Sequence, residues 1–241
     1  MKKTLIHLYA CSFFMISFCG LWGQNSNPEY SIQNAFLQDK KEATSTQLKA
    51  VLLPLETVFE LKDTPFNRYW LSYALYHQAL LADVQNQKKI AEVSIDRSIA
   101  LLMPLENDAE SLALLSIQQG YSTQFKGYLS MMQIGRQALQ NATRAVELNP
   151  NSLRTHLALS INDFYTPKVF GGGALAPIHL KKALEVVHND PTDRFPSWGK
   201  DQVYELLVKH FRKQDQDSLA QDYLERGLIE FPTSELLQEL N

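Results

Sequence analysis

The sequence predicts an all-α fold in which about five helical hairpins stack one behind another. From residue 28 onward, apolar residues recur at intervals of three and four positions, the period of a helix with one buried face. No run in this part shows the sustained alternation of a β-strand. Five of the ten prolines divide it into units of about 40 residues, which is typical of a helical repeat array. These prolines are Pro65, Pro104, Pro150, Pro191 and Pro232.

Each unit contains two stretches with helical periodicity, joined by a short polar connection. Two helix starts also carry N-cap signals, because Asn107 with Glu110 and Ser218 with Gln221 have the spacing of a capping box. We therefore expect ten helices, at 29–40 and 43–61, 66–82 and 86–103, 107–124 and 130–147, 152–165 and 175–188, and 199–213 and 217–230.

The second helices of the third and fifth units carry the most specific motifs. Small residues are spaced along these helices and followed by a short leucine-containing run and a proline, as in Val146-Glu147-Leu148-Asn149-Pro150. A first helix adds the matching pattern of large, large, small-to-medium and aromatic residues. The residues concerned are Ala138, Ala142 and Ala145; Ala220, Leu224 and Gly227; and Tyr204, Leu207, Val208 and Phe211.

These motifs resemble the tetratricopeptide repeat (TPR) family, in which small residues let neighbouring helices approach closely. The resemblance covers most of residues 29–235 and implies a TPR-like α-solenoid of about five helix–turn–helix repeats. The period of about 40 residues exceeds the family's usual 34, so longer helices or loops are expected.

The N-terminus has the pattern of a cleavable signal peptide. Lys2 and Lys3 precede a stretch without Lys, Arg, Asp or Glu over residues 4–22, and Gly23 is followed by a polar run. We expect residues 1–23 to be removed, which leaves 24–241 as one repeat domain of a periplasmic or secreted bacterial protein. The alternative is an uncleaved signal anchor, which would be the protein's one membrane contact.

Composition and motifs exclude several function classes. The formal net charge of −3 is unlike that of a nucleic-acid-binding protein, for which a basic excess is typical. Both cysteines, Cys11 and Cys19, lie in the predicted signal peptide, so the mature chain would have no thiolate metal site or cysteine nucleophile. The histidines show no familiar metal-ligand spacing, and the common hydrolase motifs are missing. We therefore expect a non-enzyme without cofactor or metal.

A glycine-rich loop interrupts the fourth hairpin, at Gly171, Gly172 and Gly173. Its backbone amides could hold an anion at the start of the following helix. The alternative is a structural insertion that packs Phe170 onto the array, with the glycines making the turn. The segment Pro167, Phe170, Gly171 and Gly172 resembles a turn in the TPR-like T component of TRAP-type transporters. That likeness implies ligand binding and association with a substrate-binding partner.

The TPR resemblance also implies binding along the concave face, which the first helices of the repeats line. Spacing assigns apolar residues and a few cations to that face, a combination that suits an amphipathic acid or a peptide carboxylate. A solvated charged helix face is the alternative for the lysines and arginines. The predicted binding residues are Arg154, Asn162, Phe164, Tyr165, Phe170, Gly171, Gly172, Gly173, Lys209 and Arg212.

Two functions follow from these predictions. The first is a protein–protein interaction or scaffold module that recruits a protein partner through its groove. The alternative is a ligand-binding component of a transport system, with a small or amphipathic ligand in an enclosed pocket bounded by Phe164, Tyr165 and Phe170. An open, polar groove would favour the first function and an enclosed apolar pocket the second.

Overall fold

The computed structural model describes residues 27–186 and 196–241, and all regular structure in these two ranges is helical. Eleven α-helices and two short 3₁₀ helices occur there, without a β-strand. The α-helices are α1 Pro28–Glu42, α2 Thr46–Leu61, α3 Pro65–Val84, α4 Lys88–Leu102, α5 Ala109–Ser122, α6 Tyr128–Leu148, α7 Leu153–Tyr165, α8 Ala176–Glu185, α9 Lys200–Arg212, α10 Asp217–Glu230 and α11 Glu235–Gln238.

The helices form five antiparallel pairs in chain order, which confirms the predicted all-α, TPR-like array. Most helix boundaries lie within a few residues of the predicted ones. The predicted end of the eighth helix at residue 188 and the predicted signal peptide lie outside the described residues. Helix α11, which the apolar periodicity did not predict, follows the fifth pair and packs on α9.

The first helices of the pairs form an inner layer. Contacts run in series from α1 to α3, α3 to α5, α5 to α7, α7 to α9 and α9 to α11. The second helices α2, α4, α6, α8 and α10 each pack against the first helix of their own pair. We call the exposed side of the inner layer the inner face.

Small residues allow this close packing, as the motifs predict. Ala138, Ala142 and Ala145 on α6 have no solvent exposure. On α10, a methyl group added at Gly227 would lie 3.0 Å from the side chain of Tyr204 on α9. A larger residue at that point would push the two helices apart, because protein interiors leave no spare volume.

The two helices of the second hairpin, α3 and α4, instead contact each other through polar side chains. Ser72 on α3 and Ser98 on α4 are both buried, and each hydroxyl donates to the other residue's carbonyl oxygen at 2.9 Å. The Gln118 amide nitrogen on α5 donates to the Ser72 hydroxyl at 2.9 Å. These bonds satisfy the buried polar atoms and fix the register of three helices.

The two ends of the array meet. The ammonium group of Lys40 on α1 lies 3.1 Å from the Glu235 carboxylate on α11 and 3.3 Å from that of Glu239. Serial stacking alone brings together only neighbouring repeats, so this contact shows that the inner layer curves round on itself.

Both predicted capping boxes are wrong. Helix α5 begins at Ala109, and the Asp108 side chain, not that of Asn107, accepts from the Ser111 amide at 2.8 Å. Helix α10 begins at Asp217, which places Ser218 inside the helix, and Gln216 makes no side-chain cap. The predicted cap of α5 lies one residue before the observed N-cap and that of α10 lies two residues after it, since several polar residues compete near a helix start.

Within the described ranges, no helix is both long enough and apolar enough to cross a lipid bilayer.

Candidate functional site

Residues 196–199, just before α9, lie against the inner face, and we call them the inner-face segment. Ser197 contacts Glu29 on α1 through two hydrogen bonds. Its backbone amide donates to Oε2 and its hydroxyl to Oε1, both at 2.7 Å. Glu29 is buried, so the carboxylate has exchanged water for these two donors, and hydrogen bonds to a charged acceptor are among the stronger ones.

Trp198 rests on two tyrosines of α3. Its ring stacks on Tyr73 with the centroids 5.5 Å apart, and its indole nitrogen donates to the Tyr69 hydroxyl at 3.1 Å. Burial raises the pKa of the Tyr69 phenol well above its ordinary value, so the group remains a neutral hydroxyl that can accept this bond.

Arg154 on α7 also contacts Trp198. Its guanidinium lies over the Trp198 ring and donates to the Trp198 carbonyl oxygen at 3.3 Å. The guanidinium also pairs with Glu110 on α5. Burial alone would lower the pKa of Arg154, but Glu110 raises it, so the cation persists in the interior. Arg154 was predicted to line an open groove; in the structure the inner-face segment lies across it.

Side chains of the inner layer on α3 and α7 are also packed. Leu71, Leu75, Leu157 and Ile161 are buried. The Asn162 amide donates to the Ser116 hydroxyl at 2.6 Å and to the Ala158 carbonyl oxygen at 2.9 Å. Asn162 thus links α7 to α5, and a ligand would reach these buried side chains only if neighbouring groups moved.

In the glycine loop, the three glycine amides are already bonded within the loop. Gly171 donates to the Lys168 carbonyl oxygen, Gly172 to that of Pro167 and Gly173 to that of Asp163. Gly171 and Gly173 adopt left-handed backbone conformations, with φ of 88° and 91°. The glycines therefore make the turn, as the structural alternative predicts, but Phe170 is 61% exposed and does not pack onto the array as that alternative expected.

The start of α8 already holds an anion, the side chain of Asp163. Its Oδ2 accepts from the amides of Leu175 and Ala176 at 2.8 Å and 2.7 Å. A carboxylate at a helix N-terminus satisfies free amides and interacts favourably with the helix dipole. An external anion would have to displace Asp163 from these amides.

The accessible part of the predicted site is a surface with exposed apolar and basic side chains. Tyr165, Val169 and Phe170 are 65%, 86% and 61% exposed. Three exposed lysines lie nearby, on the loop, on α8 and directly after α9. We call this set the basic edge; it consists of Tyr165, Lys168, Val169, Phe170, Lys181 and Lys213.

Two of these lysines lie over aromatic rings at this edge. The Lys213 ammonium is 5.6 Å from the centre of the Phe164 ring, and that of Lys181 is 5.7 Å from the centre of Phe211. Burial lowers the pKa of the nearby His210, and Lys181, Lys213 and Lys168 lower it further, whereas Asp163 raises it. Because Asp163 is buried and the three lysines are exposed, the solvent-facing side of this edge is positive.

Lys209 and Arg212 are bonded to other groups of the chain. Lys209 pairs with Glu205 one turn earlier on α9. Burial raises the pKa of Glu205, although the hydrogen bond from Lys209 opposes that shift. The Arg212 guanidinium donates to the Leu240 carbonyl oxygen at 2.8 Å and so fastens the C-terminus.

Residue spacing did not identify Glu29, Tyr69 or Trp198 as neighbours. They lie far apart in the chain and meet only because the inner layer curves, and no local pattern reports that curvature. Lys168 and Lys181 could have been found, since both flank the glycine loop in the sequence.

Metal-binding geometry is also missing from the described residues, where no group of three or more His, Cys, Asp or Glu side chains could hold an ion. The structure does bring His156 and His179 together, with 2.9 Å between their Nδ1 atoms. The Nε2 atom of His156 lies 2.8 Å from the Pro150 carbonyl oxygen, so it carries a proton and leaves Nδ1 of His156 as the acceptor.

Comparison with known proteins shows similarity to solved structures, without a match to a protein family or a curated sequence. No model of a known protein family matches the sequence, and no curated protein matches it significantly. The solved structure of TTC0263, a thermophilic TPR protein of Thermus thermophilus, is similar with a TM-score of 0.54. It is 16% identical in sequence, and the match covers 86% of this chain and 95% of that one.

A second solved structure is YrrB, described as a TPR protein with an unusual peptide-binding site. It is 15% identical, with 93% of this chain and 97% of that one covered, and the TM-score is 0.38. At that score the superposition supports no argument about this chain. Neither structure tests the resemblance to the T component of TRAP-type transporters, which stays a prediction.

Proposed function

Because the chain has a TPR-like helical repeat fold, we propose that it is an exported, non-catalytic module that binds a protein partner. The observation that carries this proposal is the basic edge. It combines exposed aromatic and aliphatic side chains with three exposed lysines at one edge of the array. Contiguous apolar groups flanked by charges are typical of protein-binding surfaces and are not common elsewhere on a monomer.

The charge of the basic edge indicates the chemistry of the partner. The chain as a whole is acidic, with a net charge of −3, whereas Lys168, Lys181 and Lys213 make this edge locally positive. Complementary charge speeds encounter and disfavours wrong partners. We therefore propose an acidic protein segment with one or two apolar side chains that cover Val169 and Phe170.

The glycine turn supports this use because it holds the apolar side chains outward. With the amides of Gly171, Gly172 and Gly173 bonded inside the loop, the chain reverses direction directly after Phe170. The loop is pinned at its end by Asp163, so the exposed side chains lie on a defined scaffold. A preorganised surface loses less entropy when it binds.

The alternative function, a carrier for a small or amphipathic ligand, receives less support. It required an enclosed pocket bounded by Phe164, Tyr165 and Phe170. Two of these side chains, Tyr165 and Phe170, are more than half exposed. Small-molecule sites usually bury most of the ligand surface, which two largely exposed side chains could not do.

Site-specific photo-crosslinking in the cells that produce the protein tests the basic edge. A benzophenone amino acid at Val169 or Phe170 should give a discrete adduct with one partner protein. The matched control is the same amino acid at Ile229, which is 82% exposed on α10. Equal adducts from both places, or none from Val169 and Phe170, would contradict the proposal.

Charge reversal tests the lysines separately from the apolar residues. The variant with Lys168→Glu, Lys181→Glu and Lys213→Glu should lose the adduct, because like charges would then face an acidic partner. A control with Lys49→Glu, Lys88→Glu and Lys89→Glu makes the same change of net charge at exposed positions on α2 and α4. Equal loss in both variants would point to net charge, not to the basic edge.

Export is a separate part of the proposal and has its own test. Intact-mass analysis of the protein purified from its producing cells should give a chain that begins at or near Gln24. A chain that retains Lys2 and Lys3 would contradict cleavage and favour the uncleaved anchor.

A further inference from the structure

We propose that the first half of α6, in the outer layer of the array, is the contact surface of a symmetric dimer of this chain. Four of its residues follow one another at intervals of four, three and four positions, which is the spacing of helices that pack side by side. We call these residues the α6 stripe; they are Tyr128, Met132, Gly135 and Leu139. The α6 stripe shares no residue with the basic edge, so this inference does not depend on the proposed function.

The α6 stripe lies mostly on a part of the helix that the chain does not cover. Helix α6 has 21 residues, whereas α5, the other helix of its hairpin, has 14. The buried residues of α6 all lie in its second half. Tyr128, Met132 and Leu139 are 62%, 38% and 41% exposed. Exposed aromatic residues and methionines are enriched where proteins contact each other.

Gly135 has no explanation within the described part of the chain. Glycine in the interior of a helix is unfavourable, and the backbone of Gly135 is not in the left-handed region that would require it. A methyl group added there would meet no heavy atom within 4 Å. A second helix that crosses α6 at this point would explain the glycine, because the missing side chain lets two backbones approach closely.

The α6 stripe carries no charge by which it could select a partner. Arg136 is the one charged residue between Lys126 and Arg144, in a chain of which 20% of the residues are charged. A surface that covers the α6 stripe must therefore be apolar and uncharged itself, as the cores of protein interfaces usually are. The same stripe on a second copy of the chain has these properties.

The α6 stripe is also self-complementary about Gly135. If two α6 helices cross there in antiparallel directions, residues at equal distances from the glycine face each other. Met131 lies four residues before Gly135 and Leu139 four residues after it, so each Met131 would pack against Leu139 of the other copy. Both side chains are partly exposed in the single chain. A two-fold dimer is the commonest form of soluble oligomer.

Sedimentation equilibrium of the mature protein, purified from the cells that produce it, tests the proposal. The average mass should rise from one chain toward two, with a dissociation constant of about 1–100 µM, as for a small interface. A protein that stays monomeric up to about 500 µM, well above that range, would overturn the proposal and leave the α6 stripe to a different partner.

A charge placed in the α6 stripe locates the contact. Met132→Glu should raise the dissociation constant at least about tenfold, because the dimer would bury two carboxylates against apolar groups. The matched control is Gln137→Glu, which adds the same charge at an exposed position on the opposite side of α6 and should leave the constant unchanged. A dimer that forms equally well with Met132→Glu would overturn the proposal, because its contact would lie elsewhere.

Disulfide formation tests the crossing point without disturbing the apolar side chains. Two thiols at position 135 would lie on the two-fold axis, where the Cα atoms can come within the roughly 4.4–6.8 Å that a disulfide requires. In chains without Cys11 and Cys19, mild oxidation should link copies of the Gly135→Cys variant at least about tenfold faster than copies of Gln137→Cys. Equal rates would contradict a crossing at Gly135.

Discussion

Glycines show how the surroundings of one residue decide the effect of a substitution. A methyl group added at Gly172 would lie 2.0 Å from the Thr166 carbonyl oxygen, which is well inside van der Waals contact. At Gly135, inside α6, it would meet no heavy atom within 4 Å. The first glycine is required by a close approach of the backbone, and the second only weakens a helix.

Alanine at these two positions should therefore change stability in opposite directions. Gly135→Ala should raise the free energy of unfolding by about 0.5–1 kcal/mol, the difference in helix propensity. Gly172→Ala should lower it by about 1–3 kcal/mol, because the loop must move to relieve the overlap. Urea unfolding followed by circular dichroism measures both. Stabilisation by Gly172→Ala would show that the loop does not have the described conformation.

The paired histidines predict a dependence of stability on pH. Burial lowers the pKa of His156, and the nearby Lys182 lowers it further. The hydrogen bond between His156 and the Pro150 carbonyl oxygen raises this pKa. Burial also lowers the pKa of His179, as do His156 and Lys182, whereas Asp163 raises it. The unfolded chain, with histidines near the ordinary value of 6.5, takes up protons first as the pH falls.

Stability contributed by this pair should be complete above about pH 6.5 and decline as the pH falls below it. His179→Gln should therefore show a shallower loss of unfolding free energy between about pH 7.5 and pH 5 than the unmodified protein. His77, whose pKa burial lowers to about 4, contributes to both proteins and cancels in the comparison. If unfolding free energy fell equally steeply with pH in both proteins, the hydrogen-bonded pair of His156 and His179 would not contribute to stability, contrary to this account.

At the scale of one element, α8 depends on a side chain from another helix. It has ten residues, and its first free amides are bonded by Asp163 of α7. A helix this short is marginal alone, so its stability comes from the cap and from packing. Leu180 and Ala183 supply that packing and have no solvent exposure.

Asp163→Ala should lower the free energy of unfolding by about 1–2 kcal/mol through loss of the cap. Hydrogen exchange should localise the effect to α8 and the glycine loop. Asp222→Ala is the matched control, because Asp222 makes only an exposed ion pair with Arg226 on its own helix. That pair is worth at most about 0.5 kcal/mol. Equal losses in both variants would show that Asp163 does not cap α8.

Helix positions were predictable because apolar periodicity is a local signal. The bounds of α3, α6 and α10 follow from the spacing of residues that the structure buries, such as Ala142 and Leu224. Capping partners were not predictable, because Asp163 caps a helix that starts more than ten residues later. The caps of α5 and α10 were also predicted wrongly, because several nearby polar residues could serve as the cap.

At the scale of the whole molecule, the sequence predicted serial stacking but not its curvature. Small residues such as Ala138 and Gly227 indicate that neighbouring helices pack closely, which fixes local geometry. Curvature is the sum of many small rotations between pairs, and no single residue determines it. Contacts that depend on curvature, such as Glu29 with Ser197 and Tyr69 with Trp198, therefore had to be found in the structure.

The closure of the inner layer does not depend on its exposed ion pairs. Lys40 with Glu235 and Glu239 is partly exposed, and such pairs contribute little to stability. The buried pair of Arg154 with Glu110 differs, because removal of one partner leaves an uncompensated charge in the interior. Arg154→Met should therefore cost about 3–5 kcal/mol in unfolding free energy, against less than about 1 kcal/mol for Lys40→Met.

Thermal and urea unfolding of both variants would measure this difference. A small effect of Arg154→Met would show that the guanidinium is solvated and that the inner face is open.

The distance between the two ends of the array tests most directly whether the stacked hairpins curve into a closed inner layer. Spin labels at cysteines introduced in place of Lys41 on α1 and Gln238 on α11, with Cys11 and Cys19 absent, would report it by pulsed electron resonance. Labels at Asp222 and Ile229 within α10 are the control for label behaviour. We predict one narrow, short distance between α1 and α11. A long or broad distribution would mean an open solenoid and would contradict the closed inner face.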